Sequence, residues 1–168
     1  MRLVIGREAC QLMDRKQMNE PTTNSLDAID REILAILQTD GRLSGADIGR
    51  KVNLSQPAVS ARIQRLERSG VITGYQAIVD PERIGLNIHA VVRVRTLHAR
   101  IPEALELFAG LPEITATYRL TGEDCFLLDV HTPDAGRLEQ VVDVIGRLGP
   151  VSTSLVLRNY PAKPLAIG

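Results

Sequence analysis

The sequence predicts an α+β chain in two parts: an N-terminal winged helix-turn-helix, then a C-terminal ferredoxin-like βαββαβ domain. Three observations carry this. Between residues 26 and 70, apolar residues recur at helical spacing in three short runs, each with a capping residue before it and Gly or Asn after it. Between residues 88 and 157, a strand–helix–strand pattern occurs twice. Asp80-Pro81, a turn signal, follows the first pattern. The predicted organisation is a polar tail over residues 1–25, a winged unit over 26–87 with the helix-turn-helix at 45–64, and a second domain over 88–168.

In the first helix Ile29, Ile33, Ile36 and Leu37 form one stripe. Asp27 caps it, with Asp30 as its capping-box partner, and Gly41 stops it. Ser44-Gly45-Ala46-Asp47 opens a second helix with Ile48 and Val52 inward. Gly49 inside that helix costs about 1 kcal/mol relative to Ala, which implies close approach of a neighbouring helix. Asn53 tolerates the left-handed turn that ends it. Ser55 caps the third helix, Pro57 sits in its first turn, Val59, Ile63 and Leu66 form its stripe, and Gly70 closes it. Val71 to Val79 is β-rich and reads as a wing or connecting strand.

In the second half, His89 to Thr96 alternates Val92 and Val94 with Arg93 and Arg95, a strand pattern. Pro102 to Gly110 is a helix with Ala104, Leu105 and Phe108 inward. Ile114 to Thr121 and Cys125 to Val130 are strands meeting in a tight hairpin at Gly122. Asp134 starts a helix with the stripe Leu138, Val141, Val142 and Ile145, and Val151 to Leu157 is the last strand. Helices on one side leave the other sheet face uncovered. That face reads as apolar, so a second subunit is expected to cover it, with a dimer as the minimum.

The 168 residues carry 20 Lys+Arg and 20 Asp+Glu, so a uniformly basic nucleic-acid coat is excluded. A local excess is not: residues 47–70 hold Arg50, Lys51, Arg62, Arg65 and Arg68 against Asp47 and Glu67. Aromatics are 3%, too few for a single-strand stacking platform. No apolar run approaches the roughly 20 residues that span a bilayer, so no membrane partner is expected. Cys10 and Cys125 make neither a disulfide framework nor a metal spacing, which suits a reducing cytoplasm. Residues 1–25 read as a polar tail or a misassigned start, with Met13 or Met18 as the initiator. The histidines are His89, His98 and His131, and they form no arrangement with a nucleophile. No catalytic residue, metal or cofactor is expected.

On the third helix Ala61, Gln64, Arg65 and Arg68 point away from the apolar stripe, with Ser60 and Arg62 flanking it. Small residues with basic rims suit a major groove. Ser55, Gln56, Pro57, Ser60, Ala61, Gln64 and Arg65 are the candidate groove residues, and Arg62 is the candidate phosphate contact.

Leu26-Asp27-x-x-Asp30-x-x-Ile33-Leu34, Asp40-Gly41-Arg42-Leu43-Ser44, Leu54-Ser55, Val59-Ser60-x-Arg62-Ile63-x-Arg65-Leu66-Glu67-x-x-Gly70-Val71-Ile72 and Thr121-Gly122-Glu123 occur in this order. From Leu26 to about Tyr160 the chain resembles the Lrp/AsnC, or feast/famine, family. The resemblance implies a transcription regulator that binds double-stranded DNA through its N-terminal domain. It implies a C-terminal domain that senses small molecules, usually amino acids, at contacts between dimers. A homodimer assembling into tetramers or octamers and a cytoplasmic, nucleoid-associated location follow from it. The family's effector loop commonly reads Gly-x-Tyr-Asp; here it is Gly122-Glu123-Asp124-Cys125, without the aromatic and with Cys for Asp. Ser152, Thr153 and Ser154 match in kind the polar residues of the family's last strand. These seven are the candidate effector residues. Two rival readings are a haem-pathway decarboxylase of similar architecture and a nucleoid-organising protein with little ligand response.

Overall fold

The computed structural model describes residues 26–160 and 162–167; the N-terminal tail, Cys10 and both alternative starts lie outside the described residues. Two compact units are present. One comprises residues 26–78 together with the last residues, from Tyr160 onward; the other is Val79–Asn159. By sequence pattern those last residues belong instead to the second domain, over 88–168.

The first unit holds α1 (Ala28–Thr39), α2 (Gly45–Val52) and α3 (Gln56–Arg68). Both arms of a capping box start α1: the Asp30 amide donates to Asp27 Oδ1 (2.7 Å) and the Asp27 amide to Asp30 Oδ2 (3.1 Å). Ser44 caps α2 by accepting from the Asp47 amide, and Asn53 ends it at φ 53°. Ser55 occupies the cap position of α3 but its hydroxyl makes no capping bond. Pro57, in the first turn, lacks the N–H that would have needed one. Ile33, Ile48, Val52 and Val59 are the core, ringed by Ile29, Ile36, Leu37, Leu43, Leu54 and Ile63. Gly49 is required by the turn itself, not by a neighbouring helix. A Cβ there would lie 2.5 Å from the Leu54 carbonyl oxygen.

The β-rich stretch from Val71 to Val79 is not a strand of this chain. It has no ladder partner among the described residues, and Tyr75, Ile78 and Val79 are exposed. Strand propensity is realised only where a second strand offers hydrogen bonds.

The second unit orders β1 (Ile88–Val94), α4 (Ile101–Gly110), β2 (Ile114–Arg119), β3 (Phe126–Thr132), α5 (Ala135–Gly146) and β4 (Val151–Leu155). The sheet order is β2-β3-β1-β4, with every pair antiparallel. Ala90, Val92 and Val94 with Phe126, Leu128 and Val130 pack with Ala104, Phe108, Leu138, Val141 and Ile145 in one core. Phe108 meets Phe126 edge to face with centroids 5.2 Å apart. A six-residue loop, residues 120–125, joins β2 to β3, longer than the tight hairpin expected.

The other sheet face differs from the apolar surface expected of it. Val91 and Leu127 lie there, but the alternation also delivers His89, Arg93, Asp129 and His131 to the same side. His89 and His131 are register partners and their rings stack at 4.1 Å, 12° from parallel.

Candidate functional site

On α3, Gln56, Pro57, Ala61 and Gln64 are exposed, as is Ser55 just before it. Ser60 is half-buried and faces α2: a Cβ added at Gly45 would meet its Oγ at 3.4 Å. Arg62 and Arg65 are not free arms. Arg62 Nη1 donates to Asp27 Oδ2 (2.6 Å) and Asp30 Oδ1 (2.8 Å), and Arg65 Nη2 donates to Asp30 Oδ2 (2.5 Å). The Asp30 side chain is 0% exposed, against 27% for Arg62 and 43% for Arg65. Burial pushes the Asp30 carboxyl up. Hydrogen bonds from Arg65, Arg62 and the Asp27 amide outweigh that and hold it below the usual carboxylate range. The Asp30 amide, then Arg62, lower Asp27 as well.

This cluster fixes α3 on α1, so its rotation, and with it which residues face outward, is set before any ligand arrives. Arg62 and Arg65 are thus already paired to carboxylate. Arg50 pairs with Asp47 on α2. Arg42, Lys51 and Arg68 make no ion pair among the described residues and supply the positive rim; Arg68 Nε donates to the Gln64 carbonyl (3.3 Å).

In the second unit, Gly122 sits at φ +106° with open space where a Cβ would go. The left-handed region there favours glycine. Glu123 pairs with Arg95 at 2.6 Å. Asp124 makes no ion pair among the described residues. Cys125 is turned back into the structure: its amide donates to the Val94 carbonyl (2.8 Å) and its thiol to the Thr96 carbonyl (3.1 Å). The Thr96 amide, which donates to Sγ (3.5 Å), then Arg119, lower the thiol from its ordinary value.

Ser152, Thr153 and Ser154 are exposed on the edge strand β4. Ser152 and Ser154 lie opposite Arg93 and Val91, on the open face, and Thr153 lies opposite Val92 on the helix-covered side. Within one chain the two effector candidates are not brought together, since β1 separates β4 from the β2–β3 hairpin.

The open face also holds a polar group that the sequence reading did not single out. His89 Nε2 lies 3.3 Å from Asp129 Oδ1, and Asn159 Nδ2 is 3.3 Å from His89 Nδ1. A bulge at Ile114/Ala116 lets Thr115 Oγ1 reach His131 Nδ1 at 3.1 Å. Burial, then the neighbouring His89, push His131 below the ordinary imidazole value, only partly offset by Asp129.

A model of the AsnC-type helix-turn-helix domain matches residues 26–67, and a model of the Lrp/AsnC ligand binding domain matches residues 89–165. Over 138 residues the chain is 32% identical to HTH-type transcriptional regulator FL11 of Pyrococcus horikoshii, covering 80% of this chain and 91% of that protein. The chain belongs to the Lrp/AsnC family. It is also 34% identical to HTH-type transcriptional regulator LrpC of Bacillus subtilis over 130 residues, 77% of this chain and 88% of that one. The LrpC structure aligns at TM-score 0.77 and 29% identity, covering 82% of this chain and 99% of that chain. A feast or famine regulatory protein from M. tuberculosis, complexed with L-methionine, aligns at TM-score 0.78 and 28% identity, covering 86% of this chain and 100% of that chain. Membership of the Lrp/AsnC family makes this chain a DNA-binding transcriptional regulator with a ligand-binding domain, and its architecture suits regulation by a small effector.

Two features of this Lrp/AsnC chain escaped the sequence reading. One is the anchoring of Arg62 and Arg65 by Asp30. Its available signal was an acid beside the apolar stripe, next to Ile29 and one turn before Ile33. The other is the His89–His131 pair, which depends on strand register and leaves no local signal.

Proposed function

We propose that this regulator reads the major groove with the exposed N-terminal face of α3, and that an amino acid bound in the second unit shifts its DNA affinity. The observation that carries the reading is the pinned helix. Ser55, Gln56, Pro57, Ala61 and Gln64 face outward from an α3 whose orientation Asp27 and Asp30 fix. Ser60, Arg62 and Arg65 border this face; Arg62 is the phosphate-side contact and Arg65 the base-side one. The Gly122–Cys125 loop is the preferred effector locus. Gly122 leaves open space for a ligand, and Asp124 is the acid free to take an ammonium group. Ser152, Thr153 and Ser154 join this locus through a neighbouring subunit.

Assembly follows from two surfaces: the half-covered sheet face around Val91 and Leu127, and the extended segment ending in Ile78, which is 98% exposed. A homodimer building to tetramers or octamers accounts for both. The regulator is read as a non-enzyme. His89 and His131 stack on each other, His89 meeting Asp129 and Asn159 and His131 meeting Thr115, and His98 lies exposed in a short turn. It is placed in the cytoplasm, on the nucleoid.

The test is selection of bound duplexes from genomic fragments, followed by a thermal-shift screen of the twenty amino acids. An effector at about 100 times its Kd adds roughly 2.7 kcal/mol of apparent stability. Failure to retain any duplex at low salt sinks the DNA reading; twenty amino acids without a shift sink the effector class. A dimer or larger species in light scattering is expected, and a monomer at micromolar concentration removes the assembly reading.

A further inference from the structure

The first unit exposes an apolar groove beside its core. Leu26, Leu34 and Leu37 form one wall, and Val71, Ile72 and Tyr75 the other, enclosing about 350 Å³. Leu165 and Ile167 of the same chain also line it. The Leu165 amide donates to Gln38 Oε1 (2.7 Å), and Gln38 Nε2 donates to the Leu165 carbonyl (3.3 Å). One side-chain amide thus satisfies both main-chain groups of a single residue, as a neighbouring strand would. Ile167 is half-buried in the groove, while Leu165 remains 80% exposed. The preceding sequence is Tyr160-Pro161-Ala162-Lys163-Pro164. Prolines restrict their own φ and hold the preceding residue extended, so little freedom is lost on docking.

We infer that residues 162–167 are a strap that docks on the DNA-binding head and ties it a second time to the effector domain. The chain passes between the units at Ile78–Val79 and again at Asn159–Tyr160. The second passage starts from β4, which carries Ser152–Ser154. It ends on α1, the helix whose Asp30 holds Arg62 and Arg65 of α3. A pull on the residues after β4 therefore reaches the reading helix through Leu165, Gln38 and Asp30. The light burial of Leu165 makes the docking easy to undo, as a regulatory contact must be. The inference rests on the proposed role of α3 in contacting DNA.

Hydrogen exchange on the full chain, on Gln38→Ala and on the chain ended after Tyr160 tests the docking. Gln38 is exposed, so its replacement leaves the core intact. Amides of residues 36–39 and 71–75 are expected to exchange about fivefold faster in both variants. Wild-type rates in either variant overturn the strap. The coupling is tested with duplexes that the wild-type chain retains: truncation is expected to change their affinity about threefold or more. Faster exchange with unchanged affinity overturns the coupling. A wild-type chain that retains no duplex sinks the DNA reading instead, and leaves the exchange result to decide the docking.

Discussion

Two clusters of charge-bearing side chains sit in the two units and solve the burial problem oppositely. In the first, Asp30 is fully buried and stays ionised because Arg62 and Arg65 bond to it. In the second, His131 is part-buried beside another imidazole, and burial holds it below the ordinary imidazole value. The difference lies in what each neighbour offers. A guanidinium is charged at every accessible pH and donates in a fixed fork, so it can carry a carboxylate indoors. A second imidazole only competes for the proton, and Asp129 bonds to His89 rather than to His131. Burial therefore leaves the carboxylate charged where two guanidiniums bond to it, and disfavours charge on the imidazole that has no such partner.

Asp30→Ala breaks the comparison most severely. It removes the buried acid, its capping bond and the partner of two arginines. The cost is expected at about 3 kcal/mol, the low end for breaking a buried pair, because both guanidiniums reach solvent. Urea unfolding followed in the head checks it, and a loss under about 1 kcal/mol would show that the cluster is not what holds α3.

Next in size is the split between anchoring and reading. Gln64→Ala is expected to weaken binding to a selected duplex by about 1–3 kcal/mol with the melting temperature unchanged. Arg65→Ala lowers both affinity and melting temperature, since its guanidinium serves Asp30. Equal behaviour of the two variants would erase the distinction.

Gly122→Leu forces a side chain onto a backbone at φ +106° but meets no neighbour. A stability loss of about 1–3 kcal/mol is expected, from backbone strain alone. The thermal shift produced by whichever amino acid the wild type answers to should vanish, while duplex retention persists. A full response in this variant moves the effector site away from the hairpin.

The smallest effect sharpens the sign of the comparison. His131 has a folded value below its unfolded one, so the unfolded chain binds protons first as pH falls. Stability is fully present above about pH 6.5 and declines below it, toward the lower folded value. Asp27 and Asp30 are also lowered, but from 3.8, so their contribution is kept through that range and lost only in stronger acid. Melting curves from pH 8 to pH 5 should therefore show a decline that His131→Gln flattens. An unchanged slope in that variant would remove His131 as its source.

What the sequence disclosed was local. The Asp27/Asp30 box, the left-handed Asn53 and the paired strand–helix–strand runs all follow from residues within a turn or two of one another. Each reports a bond or a period that neighbours alone decide. What stayed hidden was made by residues far apart in the chain. Asp30 meets Arg62 and Arg65 only once α3 packs on α1, His89 meets His131 only through register, and Leu165 meets Gln38 from the far terminus. The stretch from Val71 to Val79 misled for the complementary reason: it has the composition of a strand and no strand partner among the described residues. Gly122 was readable as a turn glycine, but the inward bonding of Cys125 to Thr96 was not.

The pairing of Arg62 and Arg65 with Asp27 and Asp30 also bears on the ions around a duplex. DNA binding draws much of its strength from cations released when protein charges replace them, and the release grows with the number of phosphates neutralised. An arginine that arrives already balanced by a carboxylate displaces fewer of them. Of the basic side chains between residues 40 and 70, Arg42, Lys51 and Arg68 bring charge unpaired among the described residues, whereas Arg50, Arg62 and Arg65 bring charge that is spoken for. The head's grip on DNA should thus weaken with added salt more gently than its tally of arginines implies. A larger share of what remains then falls to contacts that depend on the bases, so crowding by ions costs this regulator strength before it costs it choice of site.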